Sequence, residues 1–289
     1  MAKNSRFNRR SDQYQKQHKP IVGNSASLLE PVLSPAPPRD MAREVATGIS
    51  WDSTAIDWTL LQKSAPERVL ARFKAVLPAH VWDAAALEGN TFTLPEVQTL
   101  LEGITVGGRR QDEAEQVLAL AESSKALAHM VRHGKFVMDR PTINQIHHLV
   151  ARFEALDAGM FRGEGPTRGG GLVNLGGQGE YQATSSADGG ADLRKEFDSA
   201  IVYLSSAELH PAERAIAYFG IGAFRQFFFD GNKRTSRLMM NGWLMAQGYD
   251  AISIPAARRL ELNQHLISMY TGKDATGLMN FIVDCRPRP

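Results

Sequence analysis

Residues able to do chemistry together fall in one run, Gln226–Phe227–Phe228–Phe229–Asp230–Gly231–Asn232–Lys233–Arg234–Thr235–Ser236–Arg237. From Asp230 onward it places an acid, a Gly–Asn turn and three cations directly after an apolar stretch. Gly231 and Asn232 tolerate left-handed or tight-turn backbone, so the amides of 231–234 can converge on one point. A helix starting near Arg234 would put that point at its N-terminus, where unpaired N–H groups and the dipole favour an anion. Lys233 and Arg234 add positive charge, and Arg237 lies one turn beyond Arg234 on the same face. Asp230 repels a bare phosphate but can join one through Mg²⁺, a hard cation often held by one carboxylate and phosphate oxygens. The run reads as a Mg²⁺–polyphosphate cradle or as a solvated helix cap carrying the same charges, and spacing alone leaves both open. Its first position, where group transfer from such a loop calls for a base, is Gln226. A carboxamide has no usable basicity at neutral pH and can only hydrogen-bond a hydroxyl.

No other side chain replaces that base by spacing. His210 stands at the far end of the preceding helix, about 24 Å away at the rise of an α-helix. His265 belongs to the C-terminal helices. His129 and His133 have the i,i+4 spacing of a metal pair, but no third ligand follows as in zinc hydrolases, so they read as surface or interface histidines. His147 and His148 point to adjacent helix faces, which argues against joint ligation. No P-loop lysine motif occurs, and the glycines of 163–179 lack the strand-before, helix-after setting of a dinucleotide fingerprint. Cys285, the single cysteine, cannot form an intramolecular disulfide and reads as non-catalytic. A reducing compartment, the cytoplasm, is the expectation.

The elements that must position the run are helices. Apolar residues recur at three- and four-residue spacing over 57–63, 66–76, 79–88 and 94–102. Thr93 caps Leu94–Pro95–Glu96, with proline in the first turn and a carboxylate beside the positive end. A longer helix covers 111–133, and another starts near Asp139 or Arg140 with Pro141 in its first turn. Between Gly159 and Gly190 the pattern breaks; Leu172–Leu175 and Glu180–Ala183 flank Gly176–Gly179 as a short hairpin. Such a hairpin either adds a strand to a partner peptide or serves as a flexible connection. Helices resume at 191–204 and 211–225, then from about Arg234 to Gln247, and through 256–270 and 274–284. Met239, Met240 and Trp243 fit the packed core of the helix after the loop. The fold class is all-α with one small β excursion.

The 289 residues, 43% apolar and 22% charged, suit a soluble globular chain with a proper core. A net charge of +2 gives no ground to expect nucleic acid. No apolar run approaches the roughly 18 residues of a membrane span. Lys3, Arg6, Arg9, Arg10, Lys16 and Lys19 lack the apolar core of a secretory signal. Residues 1–45 are expected to be a basic, then proline-rich, disordered arm, and 46–289 a helical domain.

The run resembles the signature of the Fic (Fido) family, His-x-Phe-x-Asp/Glu-Gly-Asn-Gly/Lys-Arg-x-x-Arg, at Phe228, Asp230, Gly231, Asn232, Lys233, Arg234 and Arg237. Leu87–Glu88–Gly89–Asn90, at the end of a helix over about 79–90, is similar to the family's N-terminal inhibitory region, although Ala84 stands where Ser or Thr is usual. Gly159–Met160–Phe161–Arg162 and the following hairpin sit where the family has its target-positioning flap. The resemblance covers about 80–284, in order. It implies a helical Fic core with a hairpin flap that transfers a nucleotide moiety, most often AMP from ATP, to a protein Ser, Thr or Tyr hydroxyl. Carried over by residue, Asp230 would hold Mg²⁺, and Gly231, Asn232, Lys233 and Arg234 would cradle the phosphates. Arg234 and Arg237 would contact the β and γ phosphates, and Phe228 would anchor the loop. Glu88 would be the inhibitory carboxylate, reaching Arg237 against the γ-phosphate. Leu172, Val173, Asn174 and Leu175, in hairpin 172–182, would register the protein target as an added strand.

The departure is Gln226, where the family has the histidine that accepts the proton of the attacking hydroxyl. Loss of a general base costs about 10²–10⁴-fold, whereas the anion cradle need not suffer. The expected protein is thus an ATP–Mg²⁺ binder of the adenylyltransferase type with impaired catalysis. Two alternatives stay open, a nucleotide-responsive binding protein that holds a partner without modifying it, and a Doc-like phosphotransferase to which Lys233 points. Homo-oligomerisation is left open.

Overall fold

The structure, a computed structural model, describes residues 40–206 and 208–287. The expected arm, residues 1–39 of it, otherwise lies outside the described residues. Its last stretch belongs to a helix, α1 (Met41–Thr47), capped by Asp40 at the start and by left-handed Gly48 at the end.

After a short 3₁₀ turn at Ser53–Ala55, a second one, Trp58–Leu60, stands where periodicity over 57–63 predicts a helix. Asp52 and Asp57 each accept from the amide two residues on, a local bond that competes with helix propagation. The next elements follow the sequence pattern closely: α2 (Pro66–Ala75), α3 (Leu77–Leu87), α4 (Leu94–Leu101), α5 (Gln111–Arg132) and α6 (Arg140–Ala151). Thr93 and Glu96 form the reciprocal capping box of α4, and Asp139 caps α6 through the Thr142 amide.

Strands β1 (Leu172–Asn174) and β2 (Glu180–Gln182) form an antiparallel hairpin in which Val173 faces Tyr181. The chain then returns to helix in α7 (Ala191–Ser206), α8 (Pro211–Arg225), α9 (Asn232–Ala246), α10 (Arg259–Gly272) and α11 (Thr276–Asp284). All-α with a small hairpin is the fold expected from the sequence.

The centre of the fold is the antiparallel neighbour pair α8 and α9, joined by the 226–231 loop. Helix α8 is buried on nearly every side, including Ile216, Tyr218, Phe219 and Ile221. Gly222 is what lets α9 come so close, because a Cβ there would run into the Ser236 side chain. Helices α6 and α5 pack against α9 from one side, while α10 and α11 pack against α8 from the other. The loop is thus suspended between two fully packed helices, and its geometry is set by the core.

Candidate nucleotide site

Chain reversal between α8 and α9 forces two residues into left-handed backbone. Gln226 ends α8 at φ 50°, ψ 55°, and Gly231 precedes α9 at φ 72°. Gly231 has a second reason to lack a side chain, since a Cβ would lie 3.0 Å from Ala151 Cβ. Helix α9 begins at Asn232, two residues earlier than periodicity places it, and its N-terminus carries no side-chain cap. Its first-turn amides therefore remain available to an anion.

Asn232 holds the loop from within. Its Oδ1 accepts from Phe228 N at 2.9 Å, and its Nδ2 donates to Phe228 O at 2.8 Å and to Gln226 Oε1 at 3.0 Å. Phe228 is buried, as an anchor should be. It stacks at 3.6 Å on the ring of His147, a residue whose part in the site the sequence reading missed. His147 Nδ1 accepts from Gly159 N at 2.8 Å, so Nε2 carries the proton and donates to Asp230 O at 2.9 Å. Burial pushes this imidazole down to about 4, which keeps it neutral.

Arg162 is a second brace. It is fully buried, donating Nε to Gln226 O at 2.6 Å and Nη2 to Thr184 O at 3.0 Å. Arg162 thereby ties the segment leading into the hairpin to the signature loop.

The cations split into two groups. Arg234 is almost wholly enclosed and pairs with Glu154 at 2.6 Å and Asp230 at 3.4 Å. Lys233 and Arg237 instead converge on Glu88, with Lys233 Nζ 3.0 Å from Oε2 and Arg237 Nη2 3.3 Å from Oε1. Glu88 is the C-cap of α3, followed by left-handed Gly89, so the helix end aims its carboxylate at α9. Burial alone would raise this carboxyl; the Lys233, Arg237 and Arg234 charges outweigh it and hold it at about 2. Burial lowers the Arg237 guanidinium against the pull of Glu88, and its Nε and Nη1 are buried without a hydrogen-bond partner. A cation with two unmet donors suits a further anion.

Asp230 is the most exposed of the loop's charges, its side chain 60% accessible. Both of its bonds, from Gly231 N and from Arg234, fall on Oδ1. No cluster of three metal-ligating side chains occurs among the described residues. A lone carboxylate beside an anion seat still fits Mg²⁺, which takes few protein ligands when phosphate oxygens complete its shell.

Glu88, Asp230, Lys233 and Arg234 border a cavity of about 640 Å³ between the 226–234 loop, the flap and α10, and Arg237 lies behind it on a separate small cavity. That volume suits a nucleotide-sized ligand. Leu172, Val173, Asn174 and Leu175 line it from the flap, and Tyr270 from α10. Among the described residues β1 pairs with β2 alone. Gln226 lines the same cavity. Its Nε2 donates to Ala223 O at 2.6 Å and to Tyr270 Oη at 3.3 Å, while Tyr270 itself donates to Ala223 O at 2.8 Å. Burial raises the Tyr270 hydroxyl far above neutrality.

The remaining candidates stay outside. His210 caps α8 at its far end and stacks on Trp58. His265 packs against Phe281, and His129 and His133 stack on each other. Cys285 is raised to about 11 by burial, which agrees with a non-catalytic thiol. No helix among the described residues is long and apolar enough to cross a membrane.

No family model matches the chain. Over 210 residues, 71% of the chain, it is 29% identical to a protein adenylyltransferase Fic of Drosophila willistoni, and over 208 residues it is 26% identical to that of Drosophila mojavensis. The match takes up 39% of each of those proteins, so the chain spans about two-fifths of the length of these relatives. Among solved structures, Fic-1 of C. elegans superposes with a TM-score of 0.62 at 21% identity, covering 78% of this chain and 64% of that one. A Fic domain-containing signalling protein of Bacteroides thetaiotaomicron gives 0.62 at 19% identity, covering 78% and 88%.

Proposed function

We propose that this chain, 29% identical over 71% of its length to a protein adenylyltransferase Fic, is a Fic (Fido) family protein that binds ATP with Mg²⁺ at the 230–237 loop, gated by Glu88, and that transfer of AMP to a protein hydroxyl is impaired or lost. Binding is supported by the uncapped α9 N-terminus, the unmet donors of Arg237 and the exposed carboxylate of Asp230. Phosphates would lie against the first-turn amides, Arg237 and Lys233 once Glu88 is displaced. Mg²⁺ held by Asp230 would neutralise phosphate charge. The open side of β1 is the edge along which a target segment would lie.

The observation that carries the impairment is the state of Gln226. Both ends of its amide are committed within the protein, Oε1 to Asn232 and Nε2 to Ala223 and Tyr270. An amide could not accept the hydroxyl's proton even if released. The other titratable side chains on the cavity wall are Glu88, Asp230, Lys233, Arg234 and Tyr270. Glu88 is held ionised between cations, Asp230 is assigned to the metal and Tyr270 is a donor, so none is poised to take that proton near neutral pH.

A nucleotide-responsive binding protein is the second reading, favoured by the same amide: the cradle is intact while the base is absent. Intact-mass analysis after incubation with ATP and Mg²⁺ tests both. The native chain is compared with Gln226→His, each also carrying Glu88→Gly. An AMP adduct on the histidine variant alone is the expected result. An adduct on the native chain would overturn the impairment, and stoichiometric ATP binding without any adduct would favour the binding protein.

A further inference from the structure

Glu88 meets two cations, one on each carboxylate oxygen, and they are not equivalent. Lys233 Nζ approaches Oε2 at 3.0 Å, whereas Arg237 Nη2 stands 3.3 Å from Oε1 and shares its donors with Ala84 O at 3.4 Å. Positions 233 and 237 are four apart on α9, so both side chains rise from one face and close on the carboxylate from two turns. Arg237 is enclosed by the core, its side chain 7% exposed; Lys233 is 35% exposed and borders the cavity. Its flexible stem can turn between two anions without any change in the helix. Lys233 also contributes the largest attractive charge acting on the Glu88 carboxyl.

We propose that Lys233 is an exchangeable cation of the gate: it clamps Glu88 over the anion seat in the closed protein and passes to the terminal phosphates of a nucleoside triphosphate when Glu88 is displaced. The inference rests on the nucleotide-binding reading of the site. It gives one side chain two opposed effects on affinity. Holding Glu88 in place raises the cost of ligand entry, and gripping phosphate lowers the free energy of the bound state. Removing Lys233 therefore takes away both effects when Glu88 is present and only the grip when Glu88 is absent.

Calorimetric titration of ATP–Mg²⁺ into four proteins tests this: the native chain, Lys233→Ala, Glu88→Gly and the double variant. In the Glu88→Gly background, loss of Lys233 is expected to weaken binding about tenfold, the scale of one charge-assisted contact. With Glu88 in place, the same substitution is expected to weaken binding at least about threefold less, or to tighten it, because neighbouring groups that share a partner couple on that scale. Equal factors in both backgrounds would overturn the clamp while leaving nucleotide binding intact. If Glu88→Gly binds no ATP–Mg²⁺, the nucleotide reading and the exchange to phosphate fall together. The clamp is then judged on the ligand-free protein, by following the Glu88 carboxyl with carbon-13 NMR. An upward move of its titration in Lys233→Ala supports the clamp, and an unmoved titration overturns it.

Discussion

The two ends of the 226–237 loop are built from similar materials to opposite effect. At the α9 end, positive groups outnumber their partners: Arg237 keeps two buried donors unmet, and the first-turn amides are uncapped. A single carboxylate, Glu88, stands in the seat those groups create. At the α8 end every polar atom of the Gln226 amide has a partner inside the protein. One end is thus unsaturated and can gain by binding, whereas the other is closed and has nothing to give to a substrate. Under the proposed function, binding and chemistry would be separable in this loop, because different residues at its two ends would supply them.

The largest effect that could break this contrast is restoration of a base. Gln226→His in the Glu88→Gly background is expected to raise the rate of AMP transfer by about 10²–10⁴-fold. The dissociation constant for ATP–Mg²⁺ should change little, because Asn232, although it loses its bond to the Gln226 amide, keeps both of its bonds to the Phe228 backbone. Single-turnover transfer read alongside calorimetry separates the two quantities. A rate that stays flat while affinity shifts would mean that the two ends are not independent.

The brace beneath both ends comes next. His147→Phe keeps the stack on Phe228 but strands the Asp230 carbonyl and the Gly159 amide, at a cost of about 2–3 kcal/mol in urea unfolding. A loss much smaller than that would show that water or a backbone shift satisfies both groups. A smaller effect, about tenfold, is expected on the cradle alone: Glu88→Gly should tighten ATP–Mg²⁺ binding by freeing Lys233 and Arg237. With the Glu88 carboxyl held near 2, mild acid should not mimic that release. The lowered carboxyl contributes stability above about pH 4.5 that is lost only as pH falls toward 2. Affinity measured at pH 5 and at pH 7 should therefore show no opening of the gate.

The sequence made the contrast visible in part. Asp230, Gly231, Lys233 and Arg237 were legible because a turn and a helix start fix their relative positions locally. Glu88 was legible only through its resemblance to an inhibitory motif, since its partners lie far along the chain. Its second partner, Lys233, could not be read, because the spacing of a loop does not say which of two anions a long side chain faces. His147 looked like one of two idle histidines. A signal for it existed, since it follows Ile146 on the buried side of α6, where a polar ring needs partners. Arg162 and Glu154 gave no such signal, because one braces backbone carbonyls and the other meets Arg234 across the fold. In the scaffold, caps and periodicity placed most helices. Helix α1 was missed beside a proline-rich stretch although Asp40 and Gly48 mark its ends.

The smallest expected effect concerns the wall behind the cradle. His80 lines a cavity of about 30 Å³ that also touches Ala84, Arg234 and Arg237. Burial pushes its imidazole down to about 4 from an ordinary value of 6.5. Between those values the unfolded chain binds more protons than the folded one, so stability is held above pH 6.5 and lost as pH falls toward 4. One such group contributes about 1 kcal/mol between pH 6 and pH 5. His147 is depressed to the same degree and adds its own share, so the native slope reports more than one histidine. His80→Leu isolates its part: the variant should lose about 1 kcal/mol less than the native chain over that interval in urea unfolding. Gln226, which cannot titrate, should leave the slope unchanged when replaced by Asn. If His80→Leu also leaves the slope unchanged, the wall behind Arg237 already opens to water in the folded state. The cradle end would then be as relaxed as it is unsaturated, a sharper contrast with the closed amide at the other end.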